Sequence, residues 1–243
     1  MGARIRCRSD PHDTSGNIRP DCGFVVRVNR FQLPSRVLAT GAGYLLGTIS
    51  SATMVARAVS RGKVDPSTQG SGNPGAMNIA HLFGNKVGAI ALAGDVAKAV
   101  GAGVIGRRLA GPLGANLGAT ASVVGHCHPI WSGAKGGKGV ATSIGHMLVT
   151  FPGYVPVDVA LGAFMAKSDA WRDRKTESTG AALVLWVVLA EVWRRLRLPN
   201  LWGGPVTAAT PISAAVSGAV IMHKFLTQPD MTKSDAEKTD VDQ

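Results

Sequence analysis

The stretch LGANLGATASVVGHCHPIW, residues 113–131, contains no Asp, Glu, Lys or Arg. A helix needs about 20 largely apolar residues to cross the hydrocarbon core of a bilayer, so this stretch is long enough for one crossing. It is also rich in Gly, Ala and Ser, small residues that let helices pack closely inside membranes. The stretch therefore predicts a membrane-spanning helix.

Further apolar runs lie on both sides of this stretch, at residues 37–59, 87–106, 140–166, 180–193 and 206–226. The run at 140–166 contains two prolines, which fits one kinked span or two short spans. A soluble protein with buried core helices would explain the shortest run, because such helices have about 10–14 apolar residues. It would not explain several runs near 20 residues. We predict an all-α, polytopic integral membrane helical bundle with six or seven transmembrane helices.

The two ends of the chain differ from its apolar middle. Residues 1–36 contain seven Arg and three Asp, and residues 227–243 contain five acidic residues and two Lys. We predict a disordered basic leader at 1–36, a membrane domain at 37–226 and a disordered acidic tail at 227–243. The late start of the first apolar run argues against a signal peptide.

The net charge of +11 is compatible with nucleic acid, membrane or anionic partners. Aromatic residues make up only 5% of the chain, and the Lys and Arg residues lie mainly in short gaps between apolar runs. Nucleic-acid-binding proteins instead interleave aromatic residues with a soluble basic face. The charge pattern therefore favours membrane topology and excludes nucleic acid as the expected partner.

The three cysteines, Cys7, Cys22 and Cys127, are too few and too scattered for a disulfide framework. Cys127 lies between His126 and His128, but side chains at successive positions point in different directions, and no further cluster completes a ligand shell. We therefore expect no metal site.

Two Gly-rich segments are predicted to lie on one side of the membrane. They belong to the connections at residues 60–86 and 132–139, and two spans lie between these connections. The Lys and Arg residues of both connections favour the cytoplasm, whereas the Arg-rich leader, one span away, favours the opposite orientation. We expect both loops to face the cytoplasm from the inner (plasma) membrane, where biosynthetic substrates are found.

The first Gly-rich segment is GSGNPGAMN, residues 70–78. Its glycines, Gly70, Gly72 and Gly75, allow positive φ angles and a close approach of the backbone to a ligand. Ser71, Asn73 and Asn78 supply side-chain hydrogen-bonding groups that suit phosphate oxygens. The same residue types dominate ordinary turns, so the composition of the segment also fits a plain turn.

The second Gly-rich segment is GHCHPIWSGAKGGKGVAT, residues 125–142. Backbone N–H groups of Gly residues and the N-terminus of a following helix form an anion site, and two Lys residues add counter-charge. The positive-inside rule explains the Lys residues but not four Gly residues before a helix. A nucleotide-binding P-loop is excluded, because Ser132 replaces its first Gly and Gly139 replaces its Ser or Thr.

Some ionisable residues lie within or at the end of predicted spans. Asp95 and Lys98 are three positions apart and share a helix face, as expected for a structural ion pair or for a substrate contact. His126 lies at a span end, where a general base is conceivable and a packed, hydrogen-bonded His is more common.

These motifs together resemble the bacterial acyl-phosphate:glycerol-3-phosphate acyltransferases of the PlsY type. The family signature SGNxGATN is matched at residues 71–78, with Met77 in place of Thr. The signature GHxxPxFxxFKGGKGVAT is matched at residues 125–142, with Trp131 and Ala134 in place of two Phe. The family's Asp-x-x-Lys pair matches Asp95 and Lys98, and the order and spacing agree over about residues 44–145.

The resemblance implies an enzyme that transfers an acyl group from acyl phosphate to the 1-hydroxyl of glycerol 3-phosphate. The products are lysophosphatidate and phosphate, and neither a cofactor, coenzyme A nor acyl carrier protein is required. The implied partners are the two substrates and membrane lipids. The candidate catalytic residues are Lys138, Ser71, Asn73 and His126, and the candidate substrate-binding residues are Gly70, Gly72, Gly75, Asn78, Lys135, Gly136, Gly137, Gly139, Thr142, Asp95, Lys98 and His223.

The chain departs from the family pattern mainly where the acceptor would bind. His81 stands where the family has Arg, and Asp65-Pro66-Ser67 stands where it has Asp-Ile-Arg. In the C-terminal motif His223 is kept, but Leu226 replaces Asn, and Ser178 is the nearest counterpart of a Ser-rich stretch. The alternative is therefore an inactive or acceptor-altered relative, such as a transporter or partner subunit that has kept the anion-binding loops.

Overall fold

The computed structural model describes residues 32–133, 135–171 and 174–228, which form helices and no strand. The predicted all-α class is therefore confirmed for this part of the chain. The predicted tail from residue 229 onward and the first 31 residues of the leader lie outside it, whereas the last five leader residues are helical. The helices are α1 (Gln32–Gly47), α2 (Ser51–Ser60), α3 (Ala76–Phe83), α4 (Asn85–Cys127), α5 (Val140–Thr150), α6 (Val155–Lys167), α7 (Lys175–Leu196) and α8 (Ala209–Thr227).

Helix α4 folds back on itself as a hairpin of two arms. Ala110 and Gly111 leave the helical conformation, with φ of 62° at Gly111, and Pro112 follows. Positive φ favours Gly, and a Pro at the start of the second arm needs no N–H partner. The arms pack so closely that a Cβ atom at Gly106 would clash with the carbonyl group of Gly114. The predicted spans 87–106 and 113–131 are thus the two arms of one hairpin.

Helix α1 packs along the second arm through small residues. A Cβ atom at Gly43 would clash with the backbone of Gly118, and one at Gly47 with the backbone of Ser122. Helix backbones approach this closely in membranes when Gly occupies the interface. The Gly residues of the predicted spans therefore allow close helix packing. The contact of Gly47 with Ser122 fixes the end of α1 against α4.

The predicted span at 37–59 is broken in the structure into α1 and α2. The chain leaves the helix at residues 48–50, and Ser50 then caps α2 by accepting a hydrogen bond from the Thr53 backbone N–H at 3.2 Å. Ser is a favoured N-cap residue, which accounts for the restart of the helix. The break leaves the carbonyl group of Ile49 outside regular helix hydrogen bonding, where it accepts a bond from Lys98.

The predicted run 140–166 forms two helices, α5 and α6, which meet at an angle of 117°. Phe151 ends α5, and Pro152 begins the short turn that leads into α6. Among the described residues, Asn85–Ser132, Lys175–Leu196 and Ala209–Thr227 are helical stretches long and apolar enough to cross a membrane, and the bent pair would add a fourth. The six predicted runs correspond in order to α1 with α2, the first arm of α4, the second arm of α4, α5 with α6, α7, and α8.

A buried polar network joins the second arm of α4 to α5 and α8. His146 Nδ1 lies 3.1 Å from the Ser217 hydroxyl, and His146 Nε2 lies 3.3 Å from the Ser213 hydroxyl. Ser213 also donates to the side-chain oxygen of Asn116 at 2.7 Å. Hydrogen bonds of this kind hold helices together where water is absent. The network fixes α8 against α5, the helix that begins at the second Gly-rich segment.

Candidate active site

The first Gly-rich segment is shaped by the buried side chain of Asn78. Its Oδ1 accepts a hydrogen bond from the Ser71 backbone N–H at 2.9 Å, and its Nδ2 donates to the carbonyl oxygens of Pro66 and Gln69, both at 2.9 Å. Gly70 has φ of 66°, and a Cβ atom there would clash with Asn78 Oδ1. Asn78 therefore holds the loop in place, and its amide group is occupied by the loop itself.

Other polar groups of this segment are not used in shaping it. The Ser71 hydroxyl and the Asn73 amide group make no hydrogen bond to another described residue, and both residues are partly exposed. Gly72 has φ of 70°, and Gly75 precedes α3 and provides no side-chain cap. Ser71 and Asn73 are therefore available to a ligand, in keeping with their predicted role.

The second Gly-rich segment runs back over the end of α4 and contacts the first. A Cβ atom at Gly136 would clash with the His126 carbonyl oxygen, and one at Gly137 would clash with His126 Nε2. The same Cβ position at Gly137 lies 3.2 Å from the carbonyl oxygen of Pro74. Only residues without a side chain fit here. The two Gly-rich segments thus meet at one place, although Pro74 and Gly137 are 63 positions apart in the chain. We call this place the loop junction (residues 70–75 and 135–139).

The loop junction continues into the N-terminus of α5. Gly139 has φ of 84° and precedes α5 without a side-chain cap. A Cβ atom at Gly139 would lie 2.7 Å from Cys127 Sγ and 3.1 Å from Ile221 on α8. Uncapped N–H groups and the helix dipole favour an anion at such an end. Thr142, in the first turn of α5, is fully buried, and its hydroxyl has no hydrogen-bond partner among the described residues.

Lys135 and Lys138 have different surroundings. Lys135 is exposed and lines a cavity next to α2, together with Pro74 of the first Gly-rich segment. Lys138 Nζ lies 4.8 Å from the ring centroid of Phe225 on α8, a cation–π contact. His223, two residues earlier on the same helix, has its ring 5.7 Å from that of His128. The second Gly-rich segment thus presents cations both to α2 and to α8.

Asp95, Lys98 and His126 form a buried cluster behind the loop junction. Lys98 Nζ lies 2.8 Å from Asp95 Oδ1 and 2.7 Å from His126 Nδ1, and it donates to the Ile49 carbonyl oxygen at 2.7 Å. The side chains of Asp95, Lys98 and His126 are at most 6% exposed. Charged groups in such a place need partners, and here each has one. Of the two predicted alternatives, the geometry favours the structural ion pair, with His126 as its link to the loops.

Two cavities adjoin the loop junction. The first, of about 540 Å³, contains the charged side chains of Arg57, Asp65 and Lys135 and is lined by α2, by Pro74 of the first Gly-rich segment and by the second segment, including Ser67, His126, Gly136 and Gly137. We call it the polar cavity. The second, of about 360 Å³, is mostly apolar and lies between α5, α6, α7 and α8; it includes Met77, Val140, Ile144, Met147, Gly162, Ser178, Leu183 and Ile221. We call it the apolar cavity.

Several residues at these cavities carried no sequence signal strong enough to single them out. Arg57 interrupts the end of an apolar run, which was its only signal, and it lines the polar cavity. Phe225, which contacts Lys138 but lines neither cavity, was indistinguishable from other apolar residues of its span. Ser178 lines the apolar cavity. His81, which stands in the position of a family Arg, is exposed and lines neither cavity. Within the described residues, no three His, Cys, Asp or Glu side chains converge on a metal position.

Fold and site together define an all-α membrane protein in which two Gly-rich segments meet beside an apolar cavity. The profile of the family described as glycerol-3-phosphate acyltransferase matches residues 37–233. The chain belongs to this family.

Individual relatives agree with this assignment. A glycerol-3-phosphate acyltransferase of Neisseria meningitidis serogroup C is 40% identical over 135 residues, which cover 54% of this chain and 66% of the relative. One from Hydrogenovibrio crunogenus is 44% identical over 129 residues, which cover 51% of this chain and 59% of the relative. The aligned part of the chain thus spans 59% to 66% of the length of these relatives, less than two thirds.

The fold is similar to that of PlsY, described as an integral membrane glycerol 3-phosphate acyltransferase, in its glycerol 3-phosphate form. The TM-score is 0.63 at 25% identity, and the match covers 84% of this chain and 98% of the PlsY chain. The lysophosphatidic acid form gives a TM-score of 0.62. The prediction of a membrane-embedded helical bundle of this family is thereby confirmed.

Proposed function

We propose that this protein transfers an acyl group from acyl phosphate to the 1-hydroxyl of glycerol 3-phosphate, as a step of phospholipid biosynthesis. The observation that carries the proposal is the loop junction, where two Gly-rich segments, two Lys residues and an uncapped helix N-terminus meet beside an apolar cavity. A phosphate group and an acyl chain on one molecule match these two environments. The acceptor in this proposal, glycerol 3-phosphate, is taken from the name of the relatives, glycerol-3-phosphate acyltransferase.

In this proposal the donor lies across the N-terminus of α5. Its acyl chain occupies the apolar cavity, which begins at Val140 and Met77. Its phosphate group lies at the loop junction, where Lys138 balances its charge and Ser71 and Asn73 donate hydrogen bonds. Because acyl phosphate is already activated, the reaction needs neither coenzyme A nor acyl carrier protein, and no covalent intermediate with the enzyme.

The chemical step is a single acyl transfer. The 1-hydroxyl oxygen of glycerol 3-phosphate attacks the carbonyl carbon, the new ester C–O bond forms, and the bond from that carbon to the phosphate oxygen breaks. The hydroxyl proton passes to a phosphate oxygen, and inorganic phosphate leaves. The protein contributes by positioning both substrates and by balancing negative charge on the departing phosphate.

The test measures phosphate release by the purified protein in detergent, with palmitoyl phosphate and glycerol 3-phosphate. Lys138→Ala should reduce turnover by at least a hundredfold, since removal of one charge-stabilising group costs that much in comparable sites. Lys86→Ala is the matched control, because Lys86 is an exposed lysine in the first turn of α4 that lines neither cavity. Equal turnover of both variants would refute the site assignment.

A second experiment separates an active enzyme from an inactive relative. The chain is expressed in a strain that lacks its own acyl-phosphate-dependent glycerol-3-phosphate acyltransferase. Growth is the expected result. Absence of growth, with the protein correctly inserted in the membrane, would support the inactive or acceptor-altered alternative.

A further inference from the structure

Lys98 determines which nitrogen of His126 carries a proton. A lysine ammonium group has three protons and no lone pair, so it can only donate. Its three close contacts are Asp95 Oδ1 at 2.8 Å, the Ile49 carbonyl oxygen at 2.7 Å and His126 Nδ1 at 2.7 Å. The contacts with the Ile49 carbonyl oxygen and with His126 Nδ1 are hydrogen bonds, whereas the contact with Asp95 Oδ1 is an ion pair without hydrogen-bond geometry. Because an ammonium group cannot accept, His126 Nδ1 is the acceptor of its bond with Lys98, which means that Nδ1 carries no proton.

A neutral imidazole with an unprotonated Nδ1 carries its proton on Nε2. The Nε2 atom of His126 faces Gly137, so closely that no side chain fits at that position. His126 also lines the polar cavity, and Nε2 has no hydrogen-bond partner among the described residues. The ring therefore presents an N–H donor, and no free lone pair, to the loop junction.

The surroundings of this donor suit a phosphate group. Arg57 and Lys135 line the same cavity and supply positive charge. Gly136 and Gly137 also line the cavity, and because they have no side chains a ligand can come close to their backbone. Asp65 is the one acidic group in the lining, and it is engaged by the Ser67 backbone N–H at 2.9 Å and hydroxyl at 2.7 Å.

We propose that the polar cavity binds a phosphate group, and that His126 holds one of its oxygens as a neutral Nε2–H donor whose tautomer is set by Lys98 and Asp95. Lys98 and Asp95 are then positioning residues, and His126 is a binding residue and not the general base. The proposal rests on the proposed function for the identity of the phosphate compound, which is either the acyl phosphate or glycerol 3-phosphate. It does not rest on that function for the tautomer or for phosphate binding.

The tautomer is tested by nitrogen NMR of the intact protein with ¹⁵N-labelled histidine in detergent. The chain has six His residues, and His126→Gln identifies the signals of His126. We expect a protonated Nε2 and an unprotonated Nδ1. In Lys98→Met the signals should change towards a mixture of tautomers. A protonated Nδ1 in the unaltered protein would overturn the proposal.

Phosphate binding is tested by adding inorganic phosphate to the same sample. The His126 Nε2–H signal should shift with saturation, while the signals of exposed His81, which does not line the cavity, should stay unchanged. The Arg57→Ala/Lys135→Ala variant should require at least tenfold more phosphate. If the signal of His126 does not respond, the proposal is wrong, whether or not the protein turns over substrate.

Steady-state kinetics then identify the phosphate compound and separate a donor from a base. Loss of a hydrogen bond to a charged group corresponds to about a 10- to 100-fold weaker interaction. His126→Ala should therefore raise the KM of one substrate by this factor, and the affected substrate is the one bound in the polar cavity. His126→Gln, whose amide N–H can replace Nε2–H, should recover most of the loss. A kcat that falls equally in both variants, with KM unchanged, would show a general base and overturn the proposal.

Discussion

Lys98 Nζ donates a hydrogen bond of 2.7 Å to the backbone carbonyl oxygen of Ile49, at the break between α1 and α2. The interruption of a helix and the burial of a charged residue on another helix are therefore linked. A continuous helix over 37–59 would have used this carbonyl group internally, and Lys98 would have lost one of its three partners.

Replacement of Lys98 should destabilise the protein more than simultaneous replacement of Lys98 and Asp95. Lys98→Met leaves Asp95 as a buried charge without its partner, which costs about 3–5 kcal/mol in soluble proteins. Lys98→Met/Asp95→Asn removes both charges and should recover part of this loss. Thermal unfolding in detergent measures both variants. A double variant less stable than Lys98→Met would contradict the ion-pair interpretation.

Addition of a single methyl group at Gly136 or Gly137 should abolish activity. The new Cβ atom would clash with the His126 carbonyl oxygen or with His126 Nε2, so the loop junction must open. The control is Gly101→Ala, because a Cβ atom at this helical position meets nothing within 4 Å. That variant should keep wild-type turnover in the phosphate-release assay. Normal turnover of Gly137→Ala would mean that the contact between the two loops is unnecessary.

Asn78→Ala should loosen the first Gly-rich segment without unfolding the helices. The change removes three hydrogen bonds of 2.9 Å, which leaves the Ser71 N–H and two carbonyl groups without their partner. Hydrogen–deuterium exchange should become faster for peptides that contain residues 66–72 and stay the same for α7 and α8. Thr68→Ala is the control, since it removes only an exposed bond of 3.3 Å. Unchanged exchange in Asn78→Ala would refute this role.

A bulky residue inside the apolar cavity should shorten the acyl chain that the protein accepts. Ile144→Trp fills part of the cavity of about 360 Å³. We expect KM to rise about tenfold or more for palmitoyl phosphate and much less for octanoyl phosphate, since each buried CH₂ contributes about 0.8 kcal/mol. Val184→Trp is the control, because Val184 is 64% exposed on α7 and does not line the cavity. Equal effects on the KM of both donors would mean that the acyl chain does not bind in the apolar cavity.

The two ends of the bundle should be accessible from opposite sides of the membrane. Exposed Lys86 lies at the start of α4, near the first Gly-rich segment, and exposed Leu196 lies at the end of α7. In a variant without Cys7 and Cys22, a membrane-impermeant thiol reagent should label Leu196→Cys in intact cells, and Lys86→Cys only after permeabilisation. The reverse pattern would place the loop junction outside the cytoplasm.

The apolar runs, the Gly-rich segments and the family were readable from the sequence because each depends on residue type over a short range. A span is recognised by about 20 apolar residues, whatever its neighbours are. The segments at 70–78 and 125–142 are likewise contiguous. Counting spans also predicted that both segments lie on one side, and they meet in the structure.

Only the tertiary structure decided which polar groups hydrogen-bond to one another and which remain available to a ligand. Asn78 was expected to bind substrate, yet its amide group bonds to its own loop, whereas Ser71 and Asn73 remain available. The break at residues 48–50 follows Gly47, but Gly41 and Gly43 lie inside the same helix without ending it, so Gly47 by itself did not predict the break. Lys98, which donates a hydrogen bond to the Ile49 carbonyl oxygen at this break, is distant in sequence. Hydrophobic burial sets the spans locally, but each buried charge is satisfied by whichever groups the packed helices bring next to it.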